Sequence, residues 1–79
     1  MENPRDATPS PASRAAFGQR LRQLRERVGL TQTATAADAR LNRSFYAGVE
    51  AGRHSISVDR LPSLAQTLGV EVYQLFNND

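Results

Sequence analysis

The sequence predicts an all-α fold, a compact bundle of five short helices. Three observations carry that prediction. Apolar residues recur at steps of three and four, as in Phe17, Leu21, Leu24 and Val28, or Leu41, Phe45 and Val49. Glycines follow these stretches at Gly29, Gly52 and Gly69, where each can close a helix in the left-handed conformation. Side chains with a capping oxygen precede them, at Ser13, Thr31, Asn42 and Ser57.

Taken in order, Ser13 caps a first helix from Arg14 to Val28 whose apolar stripe faces the core. Arg14, Arg20, Arg22 and Arg27 fall on its remaining surface, where solvation is the ordinary reading and phosphate contact near the helix ends the sharper one. Thr31 caps a second helix beginning at Gln32, and four alanines between Thr33 and Ala39 favour helix and allow a neighbour to approach closely. Asn42 caps a third helix from Arg43 to about Ala51, which Gly52 ends. Leu41, Phe45 and Val49 line its inner face, leaving Arg43, Ser44, Ala47 and Gly48 outward. The stretch from Arg53 to Ser57 reads as a loop. A fourth helix follows, beginning near Val58 if Ser57 and Asp59 form its first turn, or near Leu61 if Pro62 does. Gly69 closes it. Glu71 to Phe76 forms a last short helix that turns Val72, Leu75 and Phe76 toward the core or a partner.

Seventy-nine residues hold one small domain, here residues 13–79, preceded by a flexible arm over residues 1–12 with three prolines. Arg5 in that arm is either a groove contact or part of an inert tail. Without cysteine and with a single histidine, the chain has no disulfide framework and no ligand set for zinc; no metal or other cofactor is expected. No apolar run approaches the ~20 residues of a membrane span, and the N-terminus lacks the apolar core of a signal peptide, so a cytoplasmic location without membrane contact is expected. No nucleophile and base pair, metal cluster or phosphate loop marks an enzyme. The net charge is only +2, but all ten basic residues are arginine, a composition compatible with phosphate and guanine contacts and also with a GC-rich genome.

The block from Gly29 to Gly52 reads as a helix-turn-helix whose outward positions are free to enter a major groove. With Gly29, Leu30, Thr31, Gln32, Ala36, Arg43, Ser44, Glu50 and Gly52 in place, it resembles the Cro/C1-repressor (XRE-type) helix-turn-helix family, which includes phage repressors and restriction-modification controller proteins. Phe17, Leu21 and Leu24 before the block, and Leu61, Leu64, Ala65, Leu68, Gly69, Val70, Leu75 and Phe76 after it, extend the likeness over roughly residues 14 to 76.

The resemblance implies a lambda-repressor-like DNA-binding domain in a bacterial or phage-encoded protein, a transcriptional regulator that acts as a homodimer on a roughly palindromic operator with half-sites about one helical turn apart. It implies a structural ion pair between Arg25 and Glu50. It also implies that Gln32 bonds a backbone phosphate and steadies the first residue of the third helix, the other reading being a cap. For double-stranded DNA the expected contacts are Gln32, Asn42, Arg43, Ser44, Ala47, Arg53 and His54. Arg43 reads guanine or touches phosphate alone, Ser44 bonds a base or phosphate or reinforces the cap, Ala47 meets a thymine methyl, Asn42 is first a cap, and Arg53 with His54 clamps phosphate, a solvated His54 being the other reading. Ala47 and Gly48 are short where relatives often carry long polar side chains, so reading falls mainly to the N-terminal turn. Tyr46 replaces an aliphatic residue and either packs inward or points its hydroxyl at a phosphate. Thr35 in place of a leucine weakens the core, and Arg40 in place of a glycine strains the corner. Val72, Tyr73 and Phe76 are the expected dimer contacts. With no room for a ligand domain, no small-molecule ligand is expected and control acts through protein concentration, as in an autoregulating controller or Cro-like repressor. The rival reading is an antitoxin that binds DNA and also a toxin partner.

Overall fold

The computed structural model describes residues 11–76, which form four α-helices and two 3₁₀ turns. The helices are α1 (Pro11–Arg27), α2 (Gln32–Asp38), α3 (Arg43–Glu50) and α4 (Leu61–Leu68). The all-α fold is as expected, but the fifth helix is a 3₁₀ turn over Val72–Leu75. Arg5 lies outside the described residues.

α1 starts at Pro11 rather than at Arg14. Proline at a helix start loses no bond, because the first-turn N–H groups have no intrahelical partner. Ser13 therefore sits in the first turn rather than capping it, and two residues assigned to the arm are helical. Leu21 and Leu24 are fully buried, with Phe17 half-buried beside them, whereas Val28 lies past the helix end and is 46% exposed. The expected core place for Val28 was wrong: the chain has already turned there.

α2 and α3 begin as their caps dictate. Thr31 Oγ1 accepts the Ala34 N–H at 3.0 Å, and Asn42 Oδ1 accepts that of Phe45 at 3.0 Å. Four helices end by one device, in which a left-handed residue donates to the carbonyl three back and its successor to the carbonyl five back. At the corner between α2 and α3 these are Arg40 N to Ala37 O at 3.2 Å and Leu41 N to Ala36 O at 2.8 Å. Arg40 adopts φ 61°, so the left-handed strain expected at the corner is present in an ordinary helix-ending turn. Thr35 is fully buried where a leucine would fill the core, and its hydroxyl donates to the Thr31 carbonyl at 2.9 Å, so its polar atom is satisfied within α2.

Both readings of the fourth helix are partly right. Ser57 accepts the Asp59 N–H at 3.1 Å and starts a 3₁₀ turn over Val58–Arg60, and α4 continues from Leu61 with Pro62 in its first turn. Leu61, Leu64, Ala65 and Leu68 join Leu21, Leu24, Ala36, Ala39, Tyr46, Val49 and Leu75 in one core. Each buried leucine contributes about 1.5–3 kcal/mol of apolar burial. Arg20 is also buried, contrary to its expected solvation, and its Nε donates to the Gln74 carbonyl at 3.0 Å, fastening the last 3₁₀ turn to α1.

Candidate nucleic-acid interface

The base of α3 is held by one carboxylate. Arg25 Nε donates to Glu50 Oε2 at 2.6 Å and Arg25 Nη2 to Oε1 at 3.1 Å, so the expected ion pair is present and bidentate. Tyr46 Oη donates to Oε2, and Gln32 Nε2 donates to Oε1 at 3.0 Å. Arg25 also donates from Nη1 to the Leu30 carbonyl at 2.9 Å. Burial alone would push the Glu50 carboxyl up, but hydrogen bonds from Arg25, Tyr46 and Gln32 outweigh it and hold the carboxyl below the usual range. The bond to Glu50 raises the Arg25 guanidinium, and burial with that same bond raises the Tyr46 hydroxyl.

Two elements make this cluster possible. Gly18 brings α1 against the end of α3, where a Cβ would lie 2.5 Å from the Val49 carbonyl and overlap that of Glu50. Tyr46 is fully buried and reaches along α3 to the carboxylate one turn later. Inward packing was the reading that fits Tyr46, and its hydroxyl serves Glu50.

The opposite side of α3 is open. Arg43 and Ser44 are exposed and Ala47 is half-buried, with Asn42 exposed at the helix start. Glu50 is the acidic residue of α3, and it is turned inward and neutralised, so the outward side presents basic and neutral groups alone. Such a surface suits a polyanion. Arg43 Nε donates to Thr33 Oγ1 at 3.0 Å. Gln32 was expected to steady the first residue of α3, but its amide is engaged by Glu50 and Thr33 holds Arg43 instead. Nothing in the sequence marked Thr33, because a threonine in a helix offers no signal of its partner.

Gly48 does not lie open as expected. It is buried beneath the His54 ring, which stacks on Phe45 with centroids 5.6 Å apart and planes at 11°. Arg53 and His54 are both exposed in the loop that follows. Val72 and Tyr73 open the 3₁₀ turn over Val72–Leu75 and Phe76 follows it; they are 37%, 63% and 60% exposed, while Leu75 is fully buried. The Phe76 ring also meets Phe17, with centroids 5.1 Å apart. Among the described residues no helix is long and apolar enough to cross a membrane.

The sequence pattern of the helix-turn-helix domain family matches residues 16–74, a span that takes in most of α1 and all of α2, α3 and α4. The chain belongs to the Cro/C1-type helix-turn-helix family. Control protein C.MunI from a Mycoplasma species is 33% identical over 63 residues, covering 78% of this chain and 85% of that protein. The immunity repressor of Bacillus phage phi105 is 38% identical over 55 residues, covering 70% of this chain but 38% of the repressor. The crystal structure of the restriction-modification controller protein C.AhdI from Aeromonas hydrophila superposes with a TM-score of 0.80 at 42% identity, covering 82% of this chain and 98% of that one. The helix-turn-helix chain is thus a DNA-binding transcriptional regulator of the controller and repressor type.

Proposed function

We propose that the protein acts as a homodimer on a roughly palindromic operator and regulates its own synthesis, with α3 of each subunit in the major groove and half-sites about one helical turn apart. The observation that carries this reading is the division of α3. Its inner side is locked to α1 and α2 through Glu50, and its outer side leaves Arg43, Ser44 and Ala47 uncovered. A reading head must be rigid on one side and free on the other.

In this arrangement Arg43 reads guanine, Ser44 bonds a base or phosphate, and Ala47 meets a thymine methyl. Gln32, Asn42 and Arg53 lie beside them as backbone contacts, which set register without reading sequence. One small reading helix gives little specificity, and a dimer doubles the contacts. The exposed Val72, Tyr73 and Phe76 supply its apolar surface. The likeness to controller proteins C.AhdI and C.MunI supports the autoregulatory reading.

Selection from a random duplex pool by the purified full chain tests the proposal. It predicts an enriched two-fold symmetric sequence, and a complex whose mass equals two chains per duplex. An enriched asymmetric sequence bound by one chain contradicts the dimer, and no enrichment contradicts specific recognition.

A further inference from the structure

The last turn of α3 carries a side chain that is not its own. Gly48 lies one turn after Ser44 on the outward side of the helix, yet it is buried, and the imidazole of His54 is what covers it. A Cβ on Gly48 would overlap Cδ2 of that ring and lie 2.7 Å from its Nε2. One face of the ring is stacked on Phe45. The backbone sets this placement. Gly52, at φ 80°, donates to the Val49 carbonyl at 3.1 Å, and Arg53 donates to that of Gly48 at 2.8 Å, so the chain reverses immediately beyond the helix and lays His54 back along it. The residue nevertheless stays exposed.

We propose that His54 is a base-reading residue, whose imidazole holds the place on the outward side of α3 that a long side chain at position 48 would otherwise hold, and whose N–H donates to a guanine in the major groove. The inference rests on the DNA-reading role of α3 proposed above and adds one specificity determinant to it. Guanine presents two acceptors, N7 and O6, on its major-groove edge, and the imidazole carries an N–H donor in its neutral and its protonated form. A phosphate contact would carry no sequence information. The ring rests over Gly48, one turn beyond Ser44, with one face on Phe45, and the phosphate contact is left to Arg53. Reading by α3 therefore extends beyond its N-terminal turn, through a residue borrowed from the loop.

The test is selection from a random duplex pool by the wild-type chain, His54→Phe and Gly48→Ala. His54→Phe keeps a ring that can stack on Phe45 and removes the donor. Gly48→Ala displaces the ring, and since the overlap is with a movable side chain the helix itself is undisturbed. The expected result is that both variants lose preference at the same base pair of each half-site, with discrimination there falling about tenfold, while the rest of the motif is retained. Unchanged motifs with uniformly weaker binding, or a change in Gly48→Ala alone, overturn the proposal. A wild-type chain that enriches nothing overturns the DNA-reading role itself, and that outcome is distinct from a loss confined to the variants.

Discussion

Arg43 Nε donates to Thr33 Oγ1 at 3.0 Å, which ties the first residue of α3 to the second residue of α2. The bond engages Nε, and in the proposed function the two terminal nitrogens are the ones offered to guanine. Because both side chains are exposed, the bond does little for stability and instead narrows the conformations open to Arg43 before DNA arrives. Thr33→Val should leave the melting temperature almost unchanged and weaken operator binding by about 0.5–1.5 kcal/mol, the range of one hydrogen bond. Titration of a labelled operator checks this, and equal affinity for the two proteins counts against a positioning role.

The Arg25 and Glu50 side chains are 13% and 4% exposed, so neither charge is well solvated if its partner is removed. Arg25→Met and Glu50→Gln should each cost about 3–5 kcal/mol. The double variant should lose less than the sum, with a coupling of about 0.5–3 kcal/mol. Denaturant unfolding of the four proteins measures it, and additive losses would show that the two groups act independently.

The same cluster gives stability a pH dependence at both ends. Glu50 is held below its ordinary value of 4.5, so its contribution is fully present above that value and is lost as pH falls through the lower folded value. Tyr46 is raised above its ordinary value of 10.0, so its contribution is present below that value and is lost as pH rises toward the folded one. Acid unfolding of Glu50→Gln and alkaline unfolding of Tyr46→Phe should each be less steep than in the wild type. Parallel profiles would remove these groups as the cause.

Arg40 holds φ 61° at the corner, a conformation that costs a residue with a Cβ roughly 1–2 kcal/mol. Arg60 Nη1 reaches the Arg40 carbonyl, at 3.4 Å, which glycine would keep. Arg40→Gly should therefore raise stability by about 1 kcal/mol and the melting temperature by about 4–8 °C, after part of the gain is lost to the freer unfolded chain. Calorimetry decides, and a lower melting temperature would show that the Arg40 side chain contributes more than its backbone strain costs.

The elements that could be read from the sequence are those fixed by neighbouring residues. Thr31 and Asn42 cap the helices they precede, and Gly29, Gly52 and Gly69 end helices, because capping and left-handed turns act over three to five positions. The Arg25 to Glu50 pair was legible through family likeness alone, since nothing local joins residues so far apart. What escaped depends on where the chain returns. Gln32 turns to Glu50, Arg20 is buried under the Gln74 carbonyl, and His54 folds back over Gly48, each through contacts that no periodicity encodes. The last helix was misjudged in type because four residues suit a 3₁₀ turn as well as an α-helical one.

In the proposed function α3 reads sequence from a rigidly held frame, with Arg43 as its principal reader. The most direct measurement is the equilibrium affinity of the wild type and of Arg43→Ala, each for the selected operator and for a scrambled duplex at one salt concentration. The operator affinity of the variant should fall by about 1–3 kcal/mol per reading contact while its scrambled-duplex affinity changes much less, so that the ratio of the two collapses. An equal fall on both duplexes would contradict it, because Arg43 would then be a phosphate contact alone.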